Sequence, residues 1–104
     1  MSLNYKEVGQ VIRVNVGSDI TSATTLTLKL LPQVGDYKEI TTGVTAPAVT
    51  VTAGEDIFTS GEYIEYTTLA TDLDYIGLWK KKAVITNSAT DIEQTNYESF
   101  RVLA

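Results

Sequence analysis

Acidic side chains are the residues of this sequence with the widest range of possible chemistry. Asp72 and Asp74 lie two positions apart, and Glu55 and Asp56 are adjacent in another part of the chain. Hard cations such as Ca²⁺ prefer several oxygen ligands, so these four carboxylates are candidate calcium ligands. The alternative is that aspartates cap turns while the remaining acids are hydrated. We favour this alternative and expect the protein to bind no metal ion and no cofactor.

Glu62 and Glu65 form a second acidic pair. Glycoside hydrolysis uses two carboxylates on either side of a cleft. Residues three positions apart on a strand point to opposite faces, and a chain of 104 residues has little room for a cleft. The sequence also contains no His and no Cys, which removes the commonest general base and all thiolate chemistry. We therefore expect a protein that is not an enzyme.

Composition argues against two classes of partner. The formal net charge is −5, whereas nucleic-acid binding needs an excess of Lys and Arg, so we expect no nucleic-acid partner. A basic protein surface is the better alternative. No apolar run approaches the roughly 20 residues that a membrane helix needs, so no membrane contact is expected. The N-terminal sequence MSLNYKEVGQ lacks the charged and apolar regions of a signal peptide, which indicates a soluble protein without an export signal.

The apolar residues recur with the period of β-strands. The stretch 73–86 holds the only Trp of the chain, and Trp79, Ala83 and Ile85 fall on one face of a predicted central strand. The segment 24–31 places a leucine at every second position. The whole pattern predicts about seven antiparallel strands and no helix, with a turn signal every ten residues or so. It is typical of an all-β protein built as a two-sheet sandwich.

The chain divides into a short leading segment and one body. Residues 1–9 are predicted to form an N-terminal arm or an edge strand, and residues 10–104 to form one sandwich domain. Leu3, Tyr5 and Val8 are the apolar members of the arm. They could dock on the body or on a neighbouring subunit, so we count them as candidate interface residues.

Two further kinds of residue are candidates for contact with a partner. Tyr63 and Tyr97 lie on predicted outward faces, and aromatic residues dominate contact energetics in protein and carbohydrate recognition. Lys80 and Lys82 belong to the only basic cluster and could meet carboxylates on a partner or on a symmetry mate. The alternatives are ordinary strand packing for the tyrosines and, for the lysines, an edge that discourages unwanted strand pairing.

Lys81 is the residue that fits the pattern least well, because alternation places it on the same side as Trp79. A buried, unpaired ammonium group is unfavourable. We expect its aliphatic stem to lie along Trp79 with the ammonium in water. A carboxylate partner or a β-bulge that shifts the register are the alternatives.

The sequence Asp74-Tyr75-Ile76-Gly77-Leu78-Trp79 resembles the D-x-x-G-x-aromatic corner of immunoglobulin-like and fibronectin-like sandwiches. The resemblance implies that Asp74 hydrogen-bonds to local backbone and that Gly77 supplies a conformation that a Cβ atom would hinder. It also implies that Trp79 is a core aromatic residue. The cysteine pair of antibody domains is absent, so the resemblance does not extend to them.

Nearly the whole chain resembles the immunoglobulin-like β-sandwich proteins of tailed-bacteriophage virions. The likeness is in the opening VGQVIRVNVGSDITSATTLTLKL, in GEYIEYTT followed by TDLDYIGLWK, and in the ending ESFRVLA. It implies a non-enzymatic structural protein located in the virion, as a capsid decoration or as a neck, tail or baseplate accessory. The implied partners are other virion structural proteins, together with further copies of the chain in a homo-oligomer or symmetric array.

Two other functions are compatible with a small sandwich. One is a carbohydrate- or host-surface-binding module, which needs exposed aromatic residues near polar groups. The other is a Ca²⁺-dependent adhesion domain, which depends on the carboxylates above.

Overall fold

Alternating apolar residues form strands along the chain, and the prediction of an all-β protein is confirmed. The structure is a computed structural model that describes residues 2–4, 8–33, 36–69 and 72–103, with the backbone alone described for 2–4. These residues contain ten strands and no helix. The strands are β1 (Ser2–Asn4), β2 (Val11–Asn15), β3 (Thr25–Pro32), β4 (Lys38–Ile40), β5 (Val51–Ala53), β6 (Asp56–Phe58), β7 (Tyr63–Thr67), β8 (Gly77–Ser88), β9 (Asp91–Gln94) and β10 (Glu98–Leu103).

The largest sheet has six strands and is organised around β8. Its order is β1-β10-β8-β3-β4, and β9 also pairs with β8. Because β3 occupies one side of β8, β9 and β10 lie along the other side, and together they form one interrupted strand. Thr95 bridges the interruption, since its N–H donates to the Ala83 carbonyl and its Oγ1 accepts from the Ala83 N–H, each at 3.0 Å.

The second sheet consists of β2 and β7, which pair antiparallel. Ile12, Val14 and Ile64 from this sheet share one buried cluster with the inward side chains of the larger sheet. Those inward side chains include Leu28, Leu30, Trp79, Ala83 and Ile85, each at most 1 % exposed. The predicted inward alternation of β3 and β8 is thereby confirmed.

A third pair of strands, β5 and β6, forms a hairpin over the other face of β2 and β7. The Phe58 ring of β6 lies 5.5 Å from the Tyr63 ring of β7, measured between centroids. The Asn15 side-chain amide donates to the Ile57 carbonyl at 3.2 Å. This hairpin gives β7 a cover on the face that the sequence pattern assigns to solvent.

The strand count and one strand direction differ from the sequence prediction. Instead of about seven strands there are ten among the described residues. β9 lies between a predicted hairpin loop at 87–91 and the last predicted strand at 95–103, β6 covers the end of a predicted turn at 53–56 and the two residues after it, and β1 lies in the predicted arm or edge strand. The pairing of β1 with β10 is parallel, whereas the other strand pairs among the described residues are antiparallel.

The corner before β8 combines a permissive backbone with a buried indole. Gly77 has φ +129°, a region that other residues rarely adopt. The Trp79 side chain is 1 % exposed, and its Nε1–H donates to the Tyr75 carbonyl at 2.9 Å. Asp74 Oδ1 lies 3.1 Å from Nζ of Lys38 on β4, so the acid of this corner pairs with the neighbouring strand.

Lys81 does not keep its ammonium in water. The residue is 4 % exposed, and its Nζ donates to the Arg13 carbonyl of β2 at 2.7 Å, which joins the two sheets. Burial lowers the pKa of Lys81, while the charges of Glu98 and Asp56 act in the opposite direction. The favoured expectation was therefore wrong, because a backbone acceptor and two carboxylates are within range of the buried group.

This environment predicts a pH-dependent stability. In the window between the lowered pKa of folded Lys81 and its ordinary value of 10.5, the unfolded chain binds more protons than the folded chain. The free energy of unfolding should therefore rise with pH in that window, at up to about 1.4 kcal/mol per pH unit. Urea titrations from neutral pH to just below 10 measure this slope, and the rise should disappear in Lys81→Met. A Lys81→Met slope equal to that of the wild type would contradict the assignment.

Candidate protein-interaction surface

The outward side of the six-stranded sheet carries a group of basic and aliphatic side chains. Strand register sets Lys29 opposite Lys82, Leu31 opposite Lys80, and Leu78 opposite Arg101. All six alternate with inward, buried residues, so they share one side of the sheet. We call this surface the basic face, defined by Lys29, Leu31, Leu78, Lys80, Lys82 and Arg101.

The basic face separates charge within an acidic protein. It holds four of the eight Lys and Arg residues, and Glu39 is the one acid at the outward positions of the sheet's described strands. Four positive charges and one negative charge give +3 for this side. The chain total is −5, so the remaining residues carry −8. Such segregation creates a local positive potential on a molecule of the opposite overall sign.

Two of the four cations have neighbours on the same face. Lys82 Nζ donates to Gln94 Oε1 at 2.7 Å and lies 4.8 Å from the centroid of the Tyr97 ring. Lys29 Nζ lies 3.4 Å from Glu39 Oε1. These contacts hold the two ammonium groups in place along the sheet.

The other two cations are exposed. Within the described part of the chain, neither Lys80 nor Arg101 forms an ion pair. Beside Lys80 is a hollow of about 250 Å³ that is also lined by Leu31, Pro32, Gln33 and Leu78. Leu78 is 39 % exposed. A depression with aliphatic walls next to charged groups is the form of a site that accepts a side chain from a protein partner.

The other predicted interface residues are distributed over several places. Tyr97 is 42 % exposed and flanks the basic face through Lys82, and Val8 is 60 % exposed near the N-terminus. Leu3 is paired in register with Val102 of β10. Tyr5 lies outside the described residues.

Tyr63 is not an exposed contact residue, so the prediction of its outward, accessible position was wrong. Its side chain is 0 % exposed, and its hydroxyl donates to the Val49 carbonyl at 3.0 Å. The β5–β6 hairpin and the segment before it cover this face of β7. The alternation of apolar and polar residues distinguishes the two faces of a strand, but it does not show whether another segment of the chain covers the second face.

Lys29 and Arg101 are members of the basic face that sequence reasoning did not select. Each is the only cation of its own strand, so neither forms a basic cluster in the sequence. The signal lies in combining the outward alternation of β3 and β10 with their pairing to β8, which brings both beside Lys80 and Lys82.

Asp72 and Glu65, two of the six carboxylates considered for metal binding or hydrolysis, have structural contacts. Asp72 Oδ2 accepts hydrogen bonds from the Leu69 N–H and the Tyr66 hydroxyl, both at 2.6 Å. Burial and the Asp72 carboxylate raise the pKa of Tyr66. Glu65 pairs with Arg13 at 3.0 Å. No three His, Cys, Asp or Glu side chains in the described ranges are grouped closely enough to hold a metal ion.

A second surface lies where β2 ends opposite β9 and β10. It is a polar cleft of about 630 Å³ whose lining includes Asn15, Ser18, Glu93, Asn96 and Glu98. Ser18 Oγ donates to Glu93 Oε2 at 3.4 Å, a long contact that leaves most of this carboxylate's hydrogen-bonding capacity to solvent. None of the described residues that line the cleft is aromatic, so it lacks an aromatic platform.

Over the described ranges, no helix is long and apolar enough to cross a membrane. The sequence matches no protein-family model, and no curated protein gives a significant match to it.

Proposed function

We propose that this chain is a non-enzymatic structural protein of a tailed-phage virion, an immunoglobulin-like module that attaches to capsid, neck or tail subunits. The observation that carries the attachment role is the basic face, which is exposed on regular strands and opposite in sign to the rest of the chain. Strands hold the backbone of this face in fixed positions, so binding has to order only the side chains and not a loop. The virion setting rests on the resemblance of the sequence to phage sandwich proteins.

The strand order supports the immunoglobulin-like part of the proposal. In that fold, one sheet contains strands C, F and G, with C′ added in variable-type domains, and the other contains B and E. The order β10-β8-β3-β4 and the pairing of β2 with β7 are compatible with this arrangement. On the proposal, β3, β8 and β10 correspond to C, F and G, β4 to C′, and β2 and β7 to B and E. The sole tryptophan departs from the pattern, because it lies on the F-like strand whereas antibody domains place theirs on strand C.

The acids support a role without chemistry. Asp72 and Glu65 are engaged by Tyr66 and Arg13, and Asp74 faces Lys38, so each contributes to the fold. What the surface offers is complementarity of charge and shape. In a particle, symmetry repeats each weak contact, and the effective concentration of neighbouring sites gives tight attachment.

The carbohydrate-binding alternative depends on exposed aromatic residues, and the burial of Tyr63 removes one of its two main candidates. Tyr97 stacks near Lys82 and does not line the polar cleft. Carbohydrate binding is therefore the weaker of the two functions.

Reversing one charge at the centre of the basic face tests the proposal. Particles assembled with Lys80→Glu should carry several-fold less of this protein than particles assembled with the wild type, because a like charge then meets the partner at that contact. Quantitative mass spectrometry of purified particles gives the occupancy. Thr52→Glu/Thr59→Glu is a matched control, since it also lowers the net charge by two but changes exposed positions outside the face. Normal occupancy of Lys80→Glu particles would refute the attachment role.

A further inference from the structure

A band of acids lies on the side of β9 and β10 that faces away from the basic face. Glu93 is in register with Ile85 and Glu98 with Lys81, so both alternate with the outward residues of the sheet. Asp91 lies two positions before Glu93 on the same side of β9. We call Asp91, Glu93 and Glu98 the acidic edge; all three are exposed.

The acidic edge and the basic face are complementary in several respects. Asp91 and Glu93 form no ion pair with the residues that the structure describes, and the same holds for Lys80 and Arg101. Glu93 and Glu98 line an open cleft of about 630 Å³, which is large enough to receive lysine or arginine side chains from another molecule. Complementary potentials of this kind speed up encounter and fix the register of a complex.

We propose that the basic face of one copy binds the acidic edge of a second copy of this chain. The inference rests on the proposed function, because it names one partner of the same face. The two surfaces lie on opposite sides of the six-stranded sheet, so a two-fold dimer does not join both pairs at once and the contact is heterologous. A pair of copies therefore leaves one basic face and one acidic edge unused. Association of this type continues beyond a dimer into a ring or a helical array.

Reversing the charges of the two surfaces by substitution, in purified protein in solution, tests the proposal. Sedimentation velocity of the wild type at low ionic strength should show species larger than a dimer. At 0.5 M salt these species should dissociate, because the Debye screening length falls to about 4 Å. Lys80→Glu/Lys82→Glu and Asp91→Lys/Glu93→Lys should each remain monomeric. Glu98 is left unchanged because it faces the buried Lys81.

Two recombinations then identify the contact. A mixture of the two double variants should associate, because each supplies the surface that the other lacks. The quadruple variant, with both surfaces reversed, should associate alone and regain at least ten-fold in apparent affinity over either double variant. Circular dichroism and thermal melting of every variant verify that it is folded.

The possible failures are distinguishable. A wild type that stays monomeric at low ionic strength, or a folded quadruple variant that stays monomeric while the wild type associates, would overturn the self-association proposal. Association that stops at a dimer would contradict the head-to-tail arrangement. If Lys80→Glu is lost from particles while the wild type alone is monomeric, the attachment function stands and its partner is another acidic protein.

Discussion

Replacing Trp79 with alanine should lower the free energy of unfolding by about 3–5 kcal/mol, the range observed when large buried aromatic residues are truncated. The side chain is 1 % exposed, its ring centroid lies 6.1 Å from that of Phe100, and its indole N–H is satisfied by the Tyr75 carbonyl. Truncation removes the apolar contacts of the largest buried side chain and leaves a cavity between the sheets. It also leaves the Tyr75 carbonyl without its donor.

Equilibrium urea unfolding followed by far-ultraviolet circular dichroism measures this loss. A domain of this size has a total stability of about 5–15 kcal/mol, so the variant should be close to its folding limit. Leu78→Ala is the control, because Leu78 is next to Trp79 in the sequence but faces outward and is 39 % exposed. This substitution should change the stability by less than about 1 kcal/mol. Equal effects of the two substitutions would show that the indole does not occupy the core.

Tyr63→Ala should have an effect of similar size, about 3–5 kcal/mol. The side chain is fully buried, packs against the Phe58 ring and donates a hydrogen bond to the Val49 carbonyl. The substitution therefore loosens the β5–β6 hairpin as well as β7. Tyr63→Phe keeps the ring and loses the hydrogen bond, so it should cost about 1 kcal/mol.

Tyr97→Ala is the matched comparison for this prediction, because Tyr97 is 42 % exposed and its ring contacts a lysine on the surface. It should change the stability by less than about 0.5 kcal/mol. Thermal melts of the three variants under one buffer condition decide the matter. If Tyr63→Ala melts like the wild type, the hairpin does not cover this residue.

Much of the fold follows from local sequence pattern. Period-two alternation identifies the inward residues of β3 and β8, such as Leu28, Leu30 and Trp79, because one face of each strand is buried and the other is open. The same rule fails at Tyr63, since a hairpin contributed by residues 51–58 covers the second face. No local pattern reports a cover supplied by another segment of the chain.

The candidate site required information that the sequence does not carry on its own. Lys80 and Lys82 are visible as a cluster, but Lys29 and Arg101 join them only through the pairing of β3 and β10 with β8. Lys81 shows the same limit. Alternation places it inward, whereas its acceptor, the Arg13 carbonyl, is 68 residues away and belongs to the other sheet.

The pH response separates two titrating groups of opposite effect. Lys81 makes the protein more stable as the pH rises towards 10.5, because the uncharged amine is easier to bury. Tyr66 has a raised pKa, so the stability that it contributes is fully present below pH 10.0 and is lost as the pH rises further. The combined contribution of these two groups to the free energy of unfolding should therefore be largest near pH 10.

The proposed function makes the outward side of the six-stranded sheet the surface where this protein meets its partners. Lysine acetylation followed by mass spectrometry, applied to the free protein and to the particle that carries it, measures this directly. Lys80 and Lys82 should be modified several-fold more slowly in the particle, while Lys38, which faces Asp74 on the inward side of β4, should react equally in both. Unchanged rates at Lys80 and Lys82 would contradict the claim.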